Sequence, residues 1–419
     1  MKKIIYQIII LFSILSFGIS TISFCDDIDN EVIDVNAEIS SSSSAFNSQI
    51  TIPTTNSRSC VVIDRNTNTI LYGKNEKEKR KMASTTKIMT AIVIIENYNL
   101  DETVEISKKA AGTGGSRLGL KTGDKITIKD LLYGLMLRSG NDAAGALAEY
   151  AGGDIKGFAE LMNKKAMELN LANTHFETPH GLDSDGHYTT AYELALLSNY
   201  ALKNKTFAQI VGTKEYTISI NGYPKQLSNT NELLGNFNGV YGIKTGFTNG
   251  ANRCLVTACK RNDMDIICVV LGADTKKFRT QDSIKLINYI FENFKPVNIK
   301  ELIDKEFNNW KNENINKFII NKGISKDIKL SIDTSNISYI PIRKDFINTI
   351  HTTINCKTYF EAPLNNNTEI GTINVICNNS DITSTKIFTD STINKKTSSS
   401  YFLYFIKYFN EILSNTIKF

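Results

Sequence analysis

Ser84 and Lys87, three positions apart in the stretch MASTTKIMTA, are of the right types to form an activated nucleophile. If this stretch begins a helix, both side chains lie on one face and the amine can reach the hydroxyl. A serine hydroxyl is a weak nucleophile until a base removes its proton, and an amine is such a base only when it is uncharged. The alternative interpretation is a helix cap followed by a surface lysine.

Two further motifs could complete such a site. Ser139 and Asn141 occur in LMLRSGNDAA, at a break between two apolar helical segments, where they could face a cleft or cap a helix. Lys244, Thr245 and Gly246 follow the strand-like stretch GVYGI. A strand can present its side chains and backbone to an extended peptide, and a glycine lets that ligand come close.

The three motifs, in this order, resemble those of the penicillin-binding proteins and serine β-lactamases. The fuller resemblance is to the low-molecular-weight D-alanyl-D-alanine carboxypeptidases of the peptidase S11 family. It is carried by the blocks MASTTKIMTA, LMLRSGNDAA, HFETPHGLDSDGHYTTAYELALL and YGIKTGFTNGANRCLV. The resemblance is close over residues 56–294. It implies an α/β fold of the penicillin-binding/β-lactamase-like transpeptidase type, in which helices flank an antiparallel sheet and form a helical subdomain.

The resemblance implies a role for each catalytic candidate. Ser84 is the nucleophile that becomes acylated, and Lys87 is its general base. Ser139 and Asn141 complete the proton path and hold the substrate amide, while Lys244 helps to polarise the site. No metal or cofactor is implied, and the sequence contains no Cys-x-x-Cys pair or Cys/His cluster that would suggest a zinc site.

The substrate-binding candidates follow from the same resemblance. Thr245 and Arg279 are expected to bind a terminal carboxylate, since arginine matches the planar shape of that group. The alternative for Arg279 is a surface arginine at a helix entry. Gly246 lets the ligand approach, and the backbone N–H groups of Ser84 and Phe247 are expected to form an oxyanion hole.

The tripeptide Lys-Thr-Gly occurs twice, at residues 121–123 and 244–246. The first copy precedes Ser139, and the flanking residues KITIKDLL predict a turn and a short strand that enter a helix. The second copy follows Ser139 and lies in the expected strand. Chemistry is therefore assigned to Lys244, and the first copy is treated as a coincidence.

Two other positions bear on the resemblance. His180, in PHGLD, matches a family position and is expected to order a loop rather than to catalyse. Tyr241 stands where the family often has an acidic residue, and TGFTNGAN replaces the commoner TG-x-T-x-x-AG. These departures are expected to alter substrate preference without removing the nucleophile.

The resulting hypothesis is a serine-type carboxypeptidase that removes the terminal D-alanine from peptidoglycan pentapeptide stems through an acyl-enzyme on Ser84, with β-lactams as inhibitors. One alternative is a β-lactamase, of which class A members deacylate with a glutamate-activated water. Another is a catalytically silent protein that binds the cell wall. The charge balance, 48 basic against 43 acidic residues, is too even to indicate a nucleic-acid partner.

The chain is predicted to contain a signal peptide (1–25), a flexible linker (26–55), a catalytic domain (56–294), a small all-β domain (297–385), a tether (386–399) and an amphipathic helix (400–419). Two lysines, then an apolar run from Ile4 to about Phe17 and small residues, are the layout of a signal peptide. An uncleaved signal-anchor is the alternative. Either way, the body of the protein is expected outside the cytoplasm, and with an anchoring C-terminal helix it would lie at the outer face of the bacterial cytoplasmic membrane.

The C-terminal stretch SYFLYFIKYFNEILSNTIKF separates apolar from polar residues on opposite faces of a helix. The apolar face contains Phe402, Phe405, Ile406, Phe409, Ile412 and Leu413. Lys407 and Glu411 lie midway along the helix and disfavour a membrane-spanning segment. The pattern favours a helix that lies in a membrane surface. If the helix docks on its own protein instead, the protein would be secreted.

Overall fold

The computed structural model describes residues 33–42, 50–337 and 339–416, so the predicted signal peptide lies outside the described residues. The chain divides into two compact units, Met1–Glu292 and Asn293–Phe419. Each unit has its own cluster of buried hydrophobic side chains. Each is therefore described by itself.

The first unit has strands at both ends and helices between them, as the sequence predicts. In chain order its elements are α1 (Val35–Ser42), β1 (Ser59–Asp64), β2 (Ile70–Lys74), a 3-10 helix (Ala83–Thr86), α2 (Lys87–Asn97), β3 (Thr103–Glu105), α3 (Lys108–Ala111), β4 (Lys125–Thr127), α4 (Ile128–Leu137), α5 (Asn141–Gly152), α6 (Ile155–Glu168), α7 (Ala191–Leu202), α8 (Lys205–Val211), β5 (Glu215–Ile220), β6 (Tyr223–Ser228), β7 (Val240–Thr248), β8 (Asn252–Arg261), β9 (Met264–Ala273) and α9 (Lys276–Asn293).

The main sheet of this unit is antiparallel and has the strand order β2-β1-β9-β8-β7. Every residue of β1, inside the sheet, is buried, and α7 packs on β1 and β9. Among the described residues, no strand pairs with the outer side of β7. The backbone of an edge strand offers N–H and C=O groups to an added strand or peptide.

Helix α2 is the centre of the helical part. It packs on α4, α5, α6, α7 and α8. Its residues from Lys87 to Ile94 are all buried, as expected for a helix that is apolar on nearly all sides. Burial of each Leu-, Ile- or Met-sized side chain contributes about 1.5–3 kcal/mol to folding. The N-terminus of α2, which directly follows the 3-10 helix with the predicted nucleophile, is thus held firmly by the core.

The predicted hairpin turns are present. Asn68, between β1 and β2, has a φ of 58°, and Asn262, between β8 and β9, has a φ of 50°. Asparagine tolerates this left-handed conformation better than most residues with a side chain.

A short helix lies within the segment that the sequence predicts as a linker without a fold. In α1, Val35 and Glu38 are buried. Gln281 Nε2 in α9 donates to Glu38 Oε2 (2.5 Å), and Lys277 Nζ lies 3.5 Å from Glu38 Oε1. The structure departs from the prediction here because the acidic side chain of Glu38 finds partners more than 200 residues away.

The second unit is rich in short strands. Its elements are β10 (Phe294–Asn298), α10 (Ile299–Asn314), β11 (Ile319–Asn321), β12 (Leu330–Ile332), β13 (Tyr339–Arg343), β14 (His351–Cys356), β15 (Tyr359–Glu361), β16 (Glu369–Cys377), β17 (Ser380–Thr389) and α11 (Ser398–Thr416). The strands form a sheet of order β12-β17-β16-β14 and the separate pairs β10-β13 and β11-β15.

Helix α10 is an addition to the predicted strands of this unit. Ile299, Ile303 and Phe307 are four residues apart and are buried in the core with strand residues such as Ile373 and Val375. This spacing places the three side chains on one face of a helix. The strands therefore bury one side of their sheet against a helix.

Helix α11 presents its apolar side chains to solvent, and every described side chain from Tyr401 to Leu413 is exposed. In the part of the chain that the structure describes, no helix combines the length and the apolar character needed to cross a membrane. The predicted amphipathic helix is present, beginning at Ser398.

Candidate active site

Ser84 lies in the buried 3-10 helix Ala83–Thr86, which leads into α2. Ala83 has a φ of 48°, which is uncommon for a residue with a side chain. Such a conformation costs about 1–3 kcal/mol and persists only where its surroundings hold it. Thr86 Oγ1 contributes to this by donating to Ala83 O (2.7 Å).

Lys87 Nζ is buried and lies 2.8 Å from Ser84 Oγ, 2.7 Å from Asn141 Oδ1 and 2.8 Å from His180 O. The carbonyl oxygens of Asn141 and His180 can only accept, so they take two N–H bonds from the amine. In an uncharged amine the lone pair then points to the remaining neighbour, the Ser84 hydroxyl, which can donate. In this arrangement Lys87 Nζ can accept the proton of Ser84 Oγ.

Ser139 and Asn141 lie where α4 ends and α5 begins, and both are fully buried. Ser139 has a φ of 58°, a second left-handed residue with a side chain near the nucleophile. The Asn141 amide is held at both ends, since Nδ2 donates to Gly114 O (2.8 Å) while Oδ1 accepts from Lys87 Nζ. The fold thus brings Asn141 directly to the Ser84–Lys87 pair.

Asp142 is a buried carboxylate that the sequence analysis did not single out. Its two oxygens accept from the backbone N–H groups of Leu118 (2.7 Å), Gly119 (2.7 Å) and Leu120 (3.0 Å). Hydrogen bonds to an ionised carboxylate are stronger than neutral ones. Asp142 therefore ties the preceding loop to the first turn of α5.

Lys244, Thr245 and Gly246 are all buried in β7, which packs against the Ser84 turn. A Cβ atom added to Gly246 would lie only 3.1 Å from Ser84 N. A side chain at this position would therefore press the strand away from the nucleophile. The structure thus brings the second Lys-Thr-Gly copy against Ser84.

One polar contact joins β7 to the Ser139 loop. Thr245 Oγ1 lies 2.8 Å from Thr230 Oγ1, and Thr230 N donates to Leu137 O (3.1 Å) at the end of α4. Because Leu137 is only two residues before Ser139, the Thr230 segment connects the second and third motifs.

Phe247 follows the tripeptide and is covered by its cross-strand partner Arg253. The Arg253 guanidinium carbon lies 3.9 Å from the centre of the Phe247 ring. A cation over an aromatic face is worth about 0.5–2 kcal/mol, depending on how far the pair is removed from water. This contact holds the ring at the end of β7.

Arg279, in the first turn of α9, is only 1% exposed, so it is not a surface arginine. Its Nη2 forms an ion pair with Glu232 Oε1, and Thr280 Oγ1 donates to the same oxygen (2.7 Å). Burial alone would raise the pKa of Glu232, but Arg279 and the Thr280 hydrogen bond lower it. Arg279 is therefore paired with an internal carboxylate, Glu232, which the sequence analysis missed.

A loop before α7 covers one side of the nucleophile helix. Thr90 Oγ1 donates to Pro179 O (2.6 Å), and Lys87 Nζ donates to His180 O (2.8 Å). Burial, with Lys87 nearby, lowers the pKa of His180 to about 3, so its ring is neutral over most of the pH range. The His180 carbonyl, rather than its ring, meets Lys87, in agreement with a loop-ordering role.

The same loop reaches the turn between β7 and β8. Thr248 Oγ1 donates to Asp183 Oδ1 (2.7 Å), and Gly250 N donates to Asp183 Oδ2 (2.9 Å). The sequence analysis placed Asp183 in a resembling block without assigning it a role. Its two contacts hold the loop across the end of β7.

Two sequence-based expectations concern residues that do not contact Ser84. Lys121, Thr122 and Gly123 are exposed and lie in a turn before β4, as their flanking residues predict. Tyr241, at the start of β7, donates to Asp265 Oδ1 (2.6 Å). Burial and the neighbouring Asp265 raise the pKa of Tyr241, so the phenol stays neutral. The departure from the family pattern at position 241 thus has a local partner in β9.

Each of the two units contains a region that matches a known protein family. Residues 46–275 match the peptidase S11 family, D-alanyl-D-alanine carboxypeptidase, and residues 310–395 match the family of the penicillin-binding protein 5 C-terminal domain. The carboxypeptidase DacF of Bacillus subtilis is 35% identical over 322 residues, which are 75% of this chain and 80% of DacF. DacA of Escherichia coli is 32% identical over 338 residues, which are 77% of this chain and 80% of DacA.

Solved structures agree with this. The DD-transpeptidase of Streptomyces K15 is 38% identical and has a TM-score of 0.56, covering 58% of this chain and 100% of that chain. The carboxypeptidase DacD from Francisella tularensis is 25% identical and has a TM-score of 0.64, covering 84% of this chain and 98% of that chain. The chain belongs to the peptidase S11 family of D-alanyl-D-alanine carboxypeptidases.

Proposed function

We propose that this protein is a serine-type D-alanyl-D-alanine carboxypeptidase of the cell wall, and that Ser84 is the residue that becomes acylated. Its substrates are peptidoglycan stem peptides that end in D-alanyl-D-alanine, and β-lactams acylate the same serine. The observation that carries the proposal is the buried 2.8 Å contact between Lys87 Nζ and Ser84 Oγ beside the edge strand β7.

In the acylation step, Ser84 Oγ attacks the carbonyl carbon that joins the last two residues of the stem peptide. Lys87 Nζ takes the hydroxyl proton as the new O–C bond forms. The tetrahedral intermediate then breaks its C–N bond, and the departing D-alanine amine receives a proton by way of Lys87 and the Ser139 hydroxyl. Asn141 orients Lys87 and holds the substrate amide.

In the deacylation step, water attacks the ester carbon of the acyl-enzyme. Lys87 accepts a proton from that water, and the Ser84 oxygen leaves and is reprotonated. The products are the shortened stem peptide, with a new terminal carboxylate, and the regenerated serine. Every proton that Lys87 takes is thus returned within one turnover.

The backbone N–H groups of Ser84 and Phe247 form the oxyanion hole in this proposal. Support comes from Gly246, whose position against Ser84 N leaves the strand close to the turn without an intervening side chain. Preorganised donors of this kind are worth about 2.7–4 kcal/mol each in the transition state. Lys244, buried in the same strand, adds positive charge at the site.

The terminal carboxylate of the substrate is bound by Thr245 and Arg279 in this proposal. Thr245 Oγ1 lies 2.8 Å from Thr230 Oγ1, so one of these two hydroxyls can donate to the other. Arg279 already holds Glu232, which is two residues after Thr230. A substrate carboxylate would therefore compete with an internal one for the guanidinium.

The rest of the chain supports a location at the outer face of the cytoplasmic membrane. We propose that residues 1–25 direct export and that α11 lies in the membrane surface. In α11 the exposed rings of Phe402, Phe405 and Phe409 supply apolar area, and Lys407 adds a positive charge. Buried aromatic area and a positive charge are what attach such helices to anionic membranes.

The test is the mass of the intact protein after incubation with penicillin, for the parent and Ser84→Ala. A penicilloyl adduct is expected on the parent alone, together with D-alanine release from a pentapeptide. Ser139→Ala is expected to acylate slowly. The matched control is Ser219→Ala, because Ser219 belongs to the other Ser-x-Asn of the chain and is exposed.

The other outcomes separate the alternatives. An adduct without D-alanine release favours a silent wall-binding protein, whereas rapid release of penicilloate favours a β-lactamase. If the parent forms no adduct at all, the proposed mechanism is wrong.

A further inference from the structure

His187 is a buried imidazole that the proposed reaction does not use, and it is 2% exposed. Its Nδ1 accepts from the backbone N–H groups of Glu177 (3.0 Å) and Thr178 (3.4 Å). Its Nε2 lies 2.8 Å from Thr86 Oγ1, in the turn that carries the nucleophile. Both ring nitrogens are therefore engaged.

These partners determine where the protons are. A backbone N–H can only donate, so Nδ1 of His187 is the unprotonated nitrogen and the neutral ring carries its proton on Nε2. Nε2–H then donates to Thr86 Oγ1. The Thr86 hydroxyl keeps its own proton for Ala83 O, which it contacts at 2.7 Å. The Glu177 N–H thus sets the direction of each hydrogen bond in the series from Glu177 through His187 and Thr86 to Ala83 O.

The last acceptor in this series of hydrogen bonds is Ala83 O, the carbonyl oxygen of the peptide bond between Ala83 and Ser84. Ala83 O and Ser84 N belong to the same planar peptide group, in which C=O and N–H point in opposite directions. Holding the carbonyl therefore aims the Ser84 N–H. The conformation needs such support, because Ala83 has a φ of 48°.

Gly181 closes the other side of this peptide group. A Cβ atom there would overlap Ala83 O and would come within 2.6 Å of Thr86 Oγ1. The loop backbone therefore lies directly on the carbonyl and leaves it no room to rotate. Burial lowers the pKa of His187 to about 4, which keeps the ring neutral near neutral pH.

We propose that His187 is a positioning residue for acylation: through Thr86 it fixes the Ala83–Ser84 peptide so that the Ser84 N–H points to the developing oxyanion. This inference rests on the proposed function, since it takes Ser84 as the acylated serine. A preorganised donor whose negatively charged acceptor develops only in the transition state lowers the barrier to acylation rather than the energy of the bound substrate.

The experiment is stopped-flow acylation of the full chain by penicillin, resolved into the noncovalent dissociation constant and the acylation rate constant. Thr86→Val keeps the side-chain shape but has no hydroxyl, and it is expected to lower the rate constant about 10- to 100-fold with little change in binding. Thr86→Ser restores the hydroxyl and is expected to approach the parent rate. His187→Phe keeps a flat ring but has no donor for Thr86 Oγ1, so it should resemble Thr86→Val.

The matched control is His175→Phe, because His175 is an exposed histidine of the same loop whose Nδ1 contacts Gly186 O (2.6 Å). It is expected to acylate at the parent rate. A second measurement needs no variant: ¹⁵N NMR of the parent should show His187 as the Nε2–H tautomer.

The inference is overturned if Thr86→Val acylates at the parent rate, or if His187 carries its proton on Nδ1. A loss that appears in penicillin binding and not in the rate constant also contradicts it. Failure of the parent to form any adduct would instead contradict the proposed function, so the two failures are distinct.

Discussion

The two Lys-Thr-Gly tripeptides of this chain have the same side chains in different surroundings. Residues 121–123 are exposed in a turn, where Lys121 N donates to Asp124 Oδ2 (2.7 Å). Residues 244–246 are buried in the edge strand β7 and face the Ser84 turn. What makes the second copy part of a site is therefore the structure behind it, and three identical residues without that structure form an ordinary turn.

The largest expected difference between the two copies is at the lysine. Lys244→Ala should lower the rate of penicillin acylation about 10²- to 10³-fold, because a preorganised charge beside the reacting carbonyl is lost. Lys121→Ala should leave that rate unchanged, since Lys121 is exposed in a turn. Stopped-flow acylation of both variants tests this. Equal effects at the two positions would contradict the assignment of Lys244, and not Lys121, to the site.

Substitution of the glycine is expected to affect acylation in the second copy and stability in the first. Gly246→Ala places a Cβ atom 3.1 Å from Ser84 N and should slow acylation about 10-fold or more, since small misplacements are costly in catalysis. Gly123 has a φ of 84°, and no described atom lies within 4 Å of its Cβ position. Gly123→Ala should therefore cost about 1–2 kcal/mol of stability and no activity.

Urea unfolding and acylation, measured on both glycine variants, separate the two effects. A Gly246→Ala protein that acylates like the parent would show that the close approach of β7 to the turn is unimportant.

A smaller effect is expected at Glu232. This residue pairs with Arg279 and follows Thr230, which contacts Thr245 of the second copy. Glu232→Gln removes the charge that neutralises Arg279, so the KM for a peptide with a free terminal carboxylate should fall about three- to ten-fold, which corresponds to about 0.6–1.4 kcal/mol. An amidated peptide should show no change. The exposed Glu215→Gln is the control. A rise in KM would mean that Glu232 holds Arg279 in place and does not compete with the substrate.

The last prediction concerns stability at acid pH and not the rate of acylation. The loop beside the second copy contains two buried histidines whose pKa values are lowered by burial, to about 3 for His180 and about 4 for His187. Between pH 6.5 and 5 the unfolded chain binds these protons and the folded chain does not. Stability should therefore fall as the pH falls, by at most about 1.4 kcal/mol per pH unit for each histidine.

The free energy of unfolding in urea at several pH values measures this slope. His187→Gln should reduce it, whereas the exposed His351→Gln should not. An unchanged slope in His187→Gln would show that His187 is not neutral in the folded protein.

The fold and most of the candidate site were predictable, because the elements follow from the local spacing of residue types and the motifs resemble those of a known family. The spacing of Ser84 and Lys87 places both side chains on one helical face, and the asparagine turns separate the strands. Helix α10 was missed, although Ile299, Ile303 and Phe307 have helical spacing, because its other positions are rich in asparagine and charge.

The polar residues that support the site were not predictable. Asp142 and His187 lie inside blocks that carry the family resemblance, and Glu232 does not, but nothing in the sequence around the three residues shows which groups their side chains contact. The contacts of Asp142 with Leu120, of Glu232 with Arg279 and of His187 with Thr86 span 22, 47 and 101 residues of the chain. A hydrogen bond over such a distance exists only after the chain has folded.

The sequence by itself determined the kinds of group available: a hydroxyl and an amine one helical turn apart, and a strand that contains Lys-Thr-Gly. It determined these because helix and strand periodicity are local properties of the backbone. Tertiary structure alone decided that Arg279 pairs with Glu232 and that His187 reaches Thr86. Those contacts depend on the packing of distant segments, which bury polar groups only where each finds a partner.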